Sequence, residues 1–339
     1  MKKLISIIVP VYNVPTSMLE CCLESLKKIT LPDVEVIVVD DGSNKITADF
    51  CDEFSDKNMK IFHKKNGGLC DARNYGVSKA TGEWICFVDG DDYIDSDIFN
   101  RIFSYIIDND IDIISFGTVK KYQYNSFKYD YAKYFKNNVV YSDNLELIKK
   151  LLDFNSGIGD VTAKLYRRKF LIKNNIYHNK HIKQGVEAID FNFRCFEKLK
   201  KFLFIKEYGY YYVYNDKSIT FTMNNRSMDF LLKGVNCLYE DKNKSKYNEE
   251  ISDILDLRIQ YVVATTLVSG IFASDNKLTK VEQKQLVKKL IENENINNAL
   301  SNKNVKIELK RRLTIFMMKT KMFLGIKLIA YLRKKQKQS

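Results

Sequence analysis

The chain has 339 residues, a formal net charge of +13, and 45% hydrophobic and 13% aromatic residues. That length and apolar share suffice for a sizeable core, in two domains or one large one, and exclude a mostly disordered protein. Its seven cysteines include one adjacent pair, Cys21 and Cys22, and no C-x-x-C, so the pattern indicates neither a disulfide framework nor a thiolate zinc site and favours a reducing compartment.

The opening residues, MKKLISIIVPVYN, place two lysines before an apolar run, as a signal peptide does. The run is only about six residues long before Pro10 and lacks a small-residue cleavage site, so Leu4 to Val9 reads as a first strand. Ser17 with Glu20 three residues later predicts a capping box and a helix to about Ile29. Val34 to Val39 is a second strand, followed by Asp40, Asp41, Gly42 and Ser43. Ile46 to Ser55 reads as helix, Met59 to Phe62 as a third strand, and the N-G-G of Asn66 to Gly68 opens a helix through about Ala80. Trp84 to Val88 is a continuous apolar run, which suits a central strand of a parallel sheet buried on both faces. It stops at Asp89, Gly90, Asp91 and Asp92. A helix from about Ser96 to Asp108 and a strand from Ile111 to Phe116 complete an alternating pattern that predicts an α/β fold, a parallel sheet with helices on both faces.

In such sheets ligands bind beyond the carboxyl ends of the strands, where PVYN at 10 to 13, DDGS at 40 to 43 and DGDD at 89 to 92 meet. Asp89 and Asp91 repel each other unless a cation joins them. A hard ion such as Mg²⁺ or Mn²⁺ bridging them to a diphosphate is the economical chemistry. Tyr12 can stack on a base, and Asp40 or Asp41 can accept the imino and hydroxyl hydrogens of uridine. NGGLCDARNYG at 66 to 76 adds backbone N–H groups and Arg73, both of which favour phosphate oxygens. The same residues have plainer readings, an Asx turn at DDGS and a helix cap at Asp92 or Asp95. Without a third spaced glycine the N-G-G is not a dinucleotide fingerprint. The H-x-x-H of His178 and His181 has no cysteine nearby and is not read as a metal site.

PVYN, VVDDGS, NGGLCDARNYG and WICFVDGDD, in this order over roughly the first 120 residues, resemble the nucleotide-sugar-binding half of a family 2 glycosyltransferase of the bacterial surface-polysaccharide type. The resemblance implies a GT-A fold, a Rossmann-like mostly parallel sheet flanked by helices. It also implies inverting transfer of a sugar from a nucleotide diphosphate, usually UDP-linked, with Mn²⁺ or Mg²⁺ at the D-x-D. By position, Pro10, Tyr12, Asp40, Asp41, Arg73, Asp89 and Gly90 fall in the nucleotide-sugar site. Asp89 and Asp91 are the metal positions, with Asp91 the direct ligand. VTAKLYRRKFL at 161 to 171 and GVEAIDFNFRCF at 185 to 196 resemble the acceptor half. Many relatives carry an adjacent Glu-Asp there, whereas this chain has Glu187, Ala188, Ile189, Asp190 and Phe191, with Ala188 where the aspartate would fall. Inverting chemistry needs a carboxylate opposite the departing diphosphate to take the acceptor proton. Glu187 is the first candidate and Asp190 the second, against the plainer reading of acids favoured in any first helical turn. YNDKSIT at 214 to 220 resembles a loop that closes over the donor, with Lys217 as its basic side chain.

The reading divides the chain into a glycosyltransferase domain at 1–225, with donor half 1–120 and acceptor half 121–225, and a helical region at 226–339. Asn293 to Asn304 reads as a polar connector. After Glu308 there are ten basic residues and no acidic one, interleaved with apolar side chains. Lysine interrupts that stretch too often for it to span a bilayer. A basic amphipathic helix on an anionic leaflet fits, the electrostatic part worth about 1 kcal/mol per basic residue. The plainer reading is a packed C-terminal helix with a solvated tail. The aromatics are not spaced as stacking platforms, so nucleic acid is not an expected partner. The expectation is a cytoplasmic enzyme, peripheral on the inner face of a bacterial membrane, acting on a lipid-linked glycan acceptor for capsule or another surface polysaccharide. A nucleotidyltransferase would want a glycine-rich triphosphate loop with a lysine near the N-terminus, and none is present. A degenerate, non-catalytic scaffold stays open through the altered Glu187 region.

Overall fold

The computed structural model describes residues 4–104, 110–122, 125–182, 185–214 and 223–338. Four strands, β1 (Ile5–Val11), β2 (Val34–Asp40), β3 (Met59–His63) and β4 (Trp84–Phe87), form the N-terminal part of one sheet. β1 pairs in parallel with β2, from Ile5↔Val34 to Val11↔Asp40, and with β4, from Ile5↔Trp84 to Ile8↔Phe87. β2 pairs in parallel with β3. Every residue of β1, β2 and β4 is buried, as expected of continuous apolar runs covered on both faces.

Between these strands run α1 (Thr16–Lys27), α2 (Lys45–Asp52) and α3 (Leu69–Lys79). The capping box expected at Ser17 and Glu20 does not form. Pro15 occupies the N-cap position, no side chain caps the helix, and Ser17 falls inside the first turn. The N-cap of α2 is Asn44, whose side chain accepts from the Thr47 N–H at 3.0 Å.

The later half departs from a purely parallel pattern. It contributes β5 (Tyr93–Ile94), α4 (Ser96–Ser104), β6 (Ile113–Lys121), β7 (Ser126–Lys128), β8 (Val139–Tyr141), α5 (Asn144–Leu152) and β9 (Lys164–Arg167). It continues through α6 (Arg168–Lys173), α7 (Glu187–Lys198) and β10 (Phe202–Val213). The strand order is β3-β2-β1-β4-β9-β6-β10-β5. β9 lies antiparallel between β4 and β6, where the expected parallel neighbour would have been. Its Leu165 and Tyr166 are fully buried and point to opposite faces, so four residues bridge β4 and the nine-residue β6.

The C-terminal helices are α8 (Asn225–Lys244), α9 (Ser252–Thr266) running into a π-turn at Leu267–Ile271, α10 (Lys280–Glu292), α11 (Glu294–Ser301), α12 (Leu309–Lys319) and α13 (Phe323–Gln338). The asparagine-rich stretch is therefore mostly helix and not a connector. Asn293 caps α11, which buries Ile296, Ala299 and Leu300. One apolar core includes Ile8 and Phe87 of the sheet, Ile189 of α7, Ile259 of α9, and Met318 and Ala330 of the last two helices. Ser252–Ile271 is long and apolar enough to cross a membrane, but 61% of that window is buried within the protein.

Glu35 sits in an otherwise apolar strand. One oxygen accepts from Ser6 Oγ at 2.6 Å, Thr81 N–H at 2.7 Å and Thr81 Oγ1 at 2.8 Å. Burial raises this carboxyl, but its hydrogen bonds outweigh that and hold it below the usual carboxylate value. Because the folded form releases its proton more readily, the contribution is present at neutral pH and fades as pH falls through the acid range. Glu35→Ala should lose about 2 to 3 kcal/mol at neutral pH by urea unfolding. The deficit should shrink as pH is lowered; a deficit independent of pH would show that the carboxylate charge is not the source.

Candidate active site

The PVYN and DDGS loops are tied to each other. Pro10 and Val11 are the last buried residues of β1, and Tyr12 is 43% exposed. Asn13 takes a left-handed φ of 51°, a conformation that asparagine tolerates. Its N–H donates to Ser43 Oγ at 3.0 Å, and its Oδ1 accepts from the Asn44 N–H at 2.8 Å and from Asn44 Nδ2 at 2.9 Å. No role was expected for Asn13 from sequence, although an asparagine leaving a buried strand is a turn signal.

The adjacent aspartates are held by protein groups. Asp40 accepts from the Ser43 N–H at 2.9 Å, the Asx turn of the plainer reading, and its other oxygen lies 2.8 Å from His63 Nδ1. His63 also reaches Asp52 at 3.0 Å, and these hydrogen bonds, that to Asp40 first, raise its proton affinity. Asp41 accepts from the Gly67 N–H at 2.9 Å and the Gly68 N–H at 2.7 Å, and Lys64 Nζ lies 2.6 Å from it. The backbone donors of the N-G-G turn, expected to face phosphate, thus face Asp41. Asp40 and Asp41, only 3% and 2% exposed, brace the loops through these protein donors. A buried carboxylate is tolerated when several donors replace its water.

At the D-x-D, Arg73 Nη2 donates to Asp89 Oδ1 at 2.6 Å. The guanidinium is almost wholly buried and lies 5.9 Å from the Phe87 ring, with Nε and Nη1 making no hydrogen bond. Arg73 therefore orients Asp89. A Cβ at Gly90 would come within 3.3 Å of the Pro10 carbonyl and 3.4 Å of Val11 and Val14, so glycine lets this turn approach the PVYN loop. Asp91 is half-buried. Asp92 does not cap α4, a task that falls to Asp95 through the Ile98 N–H at 3.0 Å. Asp92 instead accepts from the Tyr210 hydroxyl at 2.5 Å and the Val213 N–H at 2.8 Å, clasping β10. Burial, and then the charges of Asp89 and Asp91, push its carboxyl well up. Tyr210 also accepts from the Asp89 N–H at 3.3 Å. Tyr212 is perturbed first by burial and then by Asp92, Asp91, Asp160 and Asp89, which places it against the acidic corner. Nothing in the sequence pattern of β10 distinguished either tyrosine.

Glu187 opens α7. Its Oε2 is buried without a hydrogen-bond partner. Burial pushes this carboxyl up, Arg73 pulls the other way, and Asp89 and Asp160 add to the upward push. Asp190, one turn on, is buried and ion-paired to Arg194, which also donates to the Tyr177 carbonyl at 2.8 Å. The structure brings Glu187 to the Arg73–Asp89 pair and ties Asp190 to Arg194. His178 is buried, stacked on Phe191 at 4.1 Å, and burial lowers its proton affinity, so it is a core residue. Lys217 lies outside the described residues.

Among the described residues no group of three or more His, Cys, Asp or Glu side chains could hold a metal. Asp89 and Asp91 fit an ion that takes only one or two protein carboxylates and completes its shell with diphosphate and water, as Mg²⁺ does.

Residues 6–174 match the family model described as glycosyl transferase family 2. Uncharacterized glycosyltransferase EpsJ of Bacillus subtilis is 32% identical over 221 residues, 64% of this chain and 63% of that relative. Poly(ribitol-phosphate) beta-glucosyltransferase of Bacillus spizizenii is 31% identical over 215 residues, 62% of this chain and 32% of that protein. The chain thus spans less than two thirds of the length of either relative. The crystal structure of S. aureus TarS 1-349 superposes with a TM-score of 0.67 at 19% identity, covering 98% of this chain and 92% of that chain. TarS 1-349 has also been solved in complex with UDP and with UDP-GlcNAc. The likeness to TarS is one of fold, the GT-A arrangement.

If Asp41 braces the N-G-G turn, Asp41→Asn should destabilise the protein by about 2 to 3 kcal/mol, because one amide nitrogen would face a donor and Lys64 would lose a charge partner. Urea unfolding reads this directly. An unchanged midpoint would mean that the turn stands without the carboxylate.

Proposed function

Because this chain belongs to glycosyltransferase family 2, we propose that it is an inverting, metal-dependent hexosyltransferase. It moves a sugar from a nucleotide-diphosphate donor, UDP-linked, to a hydroxyl of a lipid-linked glycan in bacterial surface-polysaccharide synthesis. The observation that carries this reading is Glu187 Oε2, buried without a hydrogen-bond partner in a residue electrostatically coupled to Arg73 and Asp89. A carboxylate that has lost its water and kept one oxygen unpaired is ready to take a proton, and its raised affinity brings it closer to neutral pH.

In this reading Glu187 takes the proton of the attacking hydroxyl. Arg73 keeps Glu187 ionisable and holds Asp89 in place. Asp190, neutralised by Arg194, steadies the helix that carries the base. A divalent ion at Asp89 and Asp91 would neutralise the departing diphosphate. Tyr12 stacks on the base, Pro10 and Gly90 shape the floor beneath the nucleotide, and Asp40 and Asp41 keep the surrounding loops in register. Lys217 is proposed to meet the donor. The UDP and UDP-GlcNAc complexes of TarS support the donor class, and the relative that acts on poly(ribitol-phosphate) supports a surface polymer.

The last two helices support a peripheral membrane site at the cytoplasmic face. Their inner side buries Ile315, Met318, Ile326 and Ala330. Their outer side exposes Leu313, Phe316, Leu324, Leu328 and Leu332 among lysines and arginines, with Leu324 83% exposed. So large an apolar surface, rimmed by one sign of charge, suits an anionic leaflet.

With a panel of nucleotide sugars and Mn²⁺, the wild type should turn over a UDP-sugar and lose that turnover in EDTA. Glu187→Gln should cut transfer about 10² to 10⁴-fold with UDP affinity near wild type. In the wild type, transfer should fall as pH drops through the raised Glu187 titration, because the base is then protonated. If Asp190→Asn is the inactive variant and Glu187→Gln retains transfer, the roles are reversed.

Co-sedimentation with liposomes tests the surface. Truncation would strip Ile315, Met318, Ile326 and Ala330 from the core, so the paired substitution Leu324→Glu and Leu328→Glu is the cleaner probe. Binding to anionic vesicles should weaken with salt in the wild type and drop at least tenfold in the variant. Equal sedimentation of the two would refute the surface.

A further inference from the structure

The segment between α5 and β9 is fixed at one corner by two buried polar side chains. Asn192 Nδ2 donates to the Gly159 carbonyl at 2.9 Å and to the Asp160 carbonyl at 3.0 Å. Its own amide is oriented by the Tyr166 hydroxyl, which donates to Asn192 Oδ1 at 2.7 Å. Lys164 Nζ donates to the same Asp160 carbonyl at 2.5 Å. Asn192 is wholly buried and Lys164 is 1% exposed. Burial drives the lysine down to about 8, against the smaller pull of Asp160. Burying an ammonium group is costly, and here it serves a single backbone carbonyl. There is no slack on the other side either, since a Cβ at Gly159 would meet Ile189 Cδ1 at 2.8 Å and Arg258 Nη2 at 3.2 Å.

What this corner displays is the Asp160 side chain. The residue is exposed, and none of the described residues hydrogen-bonds its carboxylate. It is electrostatically coupled to Glu187, to Tyr212 beside the D-x-D, and to Arg258. Arg258 lies 5.1 Å from the Phe154 ring, and its Nε has no hydrogen-bond partner. A carboxylate on this anchored backbone would repel a diphosphate but accept a hydrogen bond from a neutral hydroxyl. It is not part of any group of three or more metal-ligating side chains among the described residues.

We propose that Asp160 is an acceptor-binding residue: it accepts a hydrogen bond from a second hydroxyl of the sugar or polyol whose attacking hydroxyl Glu187 deprotonates, with Arg258 donating to acceptor oxygens beside it. Lys164 and Asn192 are positioning residues for that carboxylate. The acceptor class is therefore a polyhydroxyl unit with two hydroxyls within reach of one corner of the crevice. This rests on the transferase reading above.

The test separates transfer to water from transfer to an added acceptor, in the full chain, with the UDP-sugar that the wild type turns over. Methyl pyranosides and alditols at high concentration are the acceptor probes. Asp160→Asn, an exposed and nearly isosteric change, should leave UDP-sugar hydrolysis within twofold and raise the acceptor KM at least tenfold. Lys164→Met should show the same split, a raised acceptor KM with hydrolysis retained. An unchanged acceptor KM in Asp160→Asn overturns the proposal alone, as does a parallel loss of hydrolysis, which would move Asp160 into donor chemistry. If the wild type hydrolyses no UDP-sugar, the transferase reading itself fails and the acceptor role falls with it.

Discussion

The constraint behind this structure is the concentration of carboxylates at one edge of a buried sheet. Four of them, Asp40, Asp41, Asp89 and Asp92, are each answered by protein donors. Asp40 has His63 and a backbone N–H, Asp41 has Lys64 and two glycine N–H groups, Asp89 has Arg73, and Asp92 has Tyr210 and a backbone N–H. Each pairing joins a strand end to a segment distant in sequence, so neutralising the charge and assembling the crevice are the same process. The Asp92 clasp brings β10 of the acceptor half against the D-x-D, and the Asp41 bracket sets where α3 begins and hence where Arg73 reaches Asp89.

Much of the donor half was legible because its strands are buried on both faces and read as unbroken apolar runs, each ending where the polar loop begins. The GT-A arrangement followed from those runs and from the motifs between them. What was not legible is long-range pairing. β9 is four residues long, and nothing in KLYR states that it will lie antiparallel between β4 and β6. The protein partners of Asp40 and Asp41 were not legible for a related reason, since an aspartate reads the same whether its partners come from a ligand or from Gly67 and Gly68. Local signals also lost to stronger local constraints. Pro15 displaced the Ser17 cap, and Asn293 caps a helix with a short buried stripe.

The choice between Glu187 and Asp190 shows what geometry adds to a motif. Both lie in the first turn of α7, where the helix dipole favours acids regardless of function. Three residues of spacing put them on adjacent parts of one helical face, and burial raises both carboxyls, yet their charged partners differ. Asp190 meets a guanidinium one turn along its own helix, which pulls its carboxyl down, although burial outweighs that pull and raises it. Glu187 has no such ion pair, its Oε2 has no hydrogen-bond partner, and the charges coupled to it include Arg73 and Asp89 at the D-x-D. Environment separates two carboxylates that sequence left side by side.

The C-terminal helices were open to two readings, a packed helix or a lipid-facing one, and in the structure one pair of helices has both a buried apolar side and an exposed one. Ile315 and Met318, and then Ile326 and Ala330, recur at three and four residues and face the core. Leu324 and Leu328, one turn apart, face outward. The inner face is not mere support. Arg311 of α12 lies 4.7 Å from the Phe154 ring and 4.4 Å from that of Tyr261, and Phe154 is stacked on Tyr261 at 4.8 Å. Phe154 leads directly into the segment that displays Asp160. The helices proposed to rest on lipid are thus coupled, through an arginine and two stacked rings, to the corner proposed to receive the acceptor.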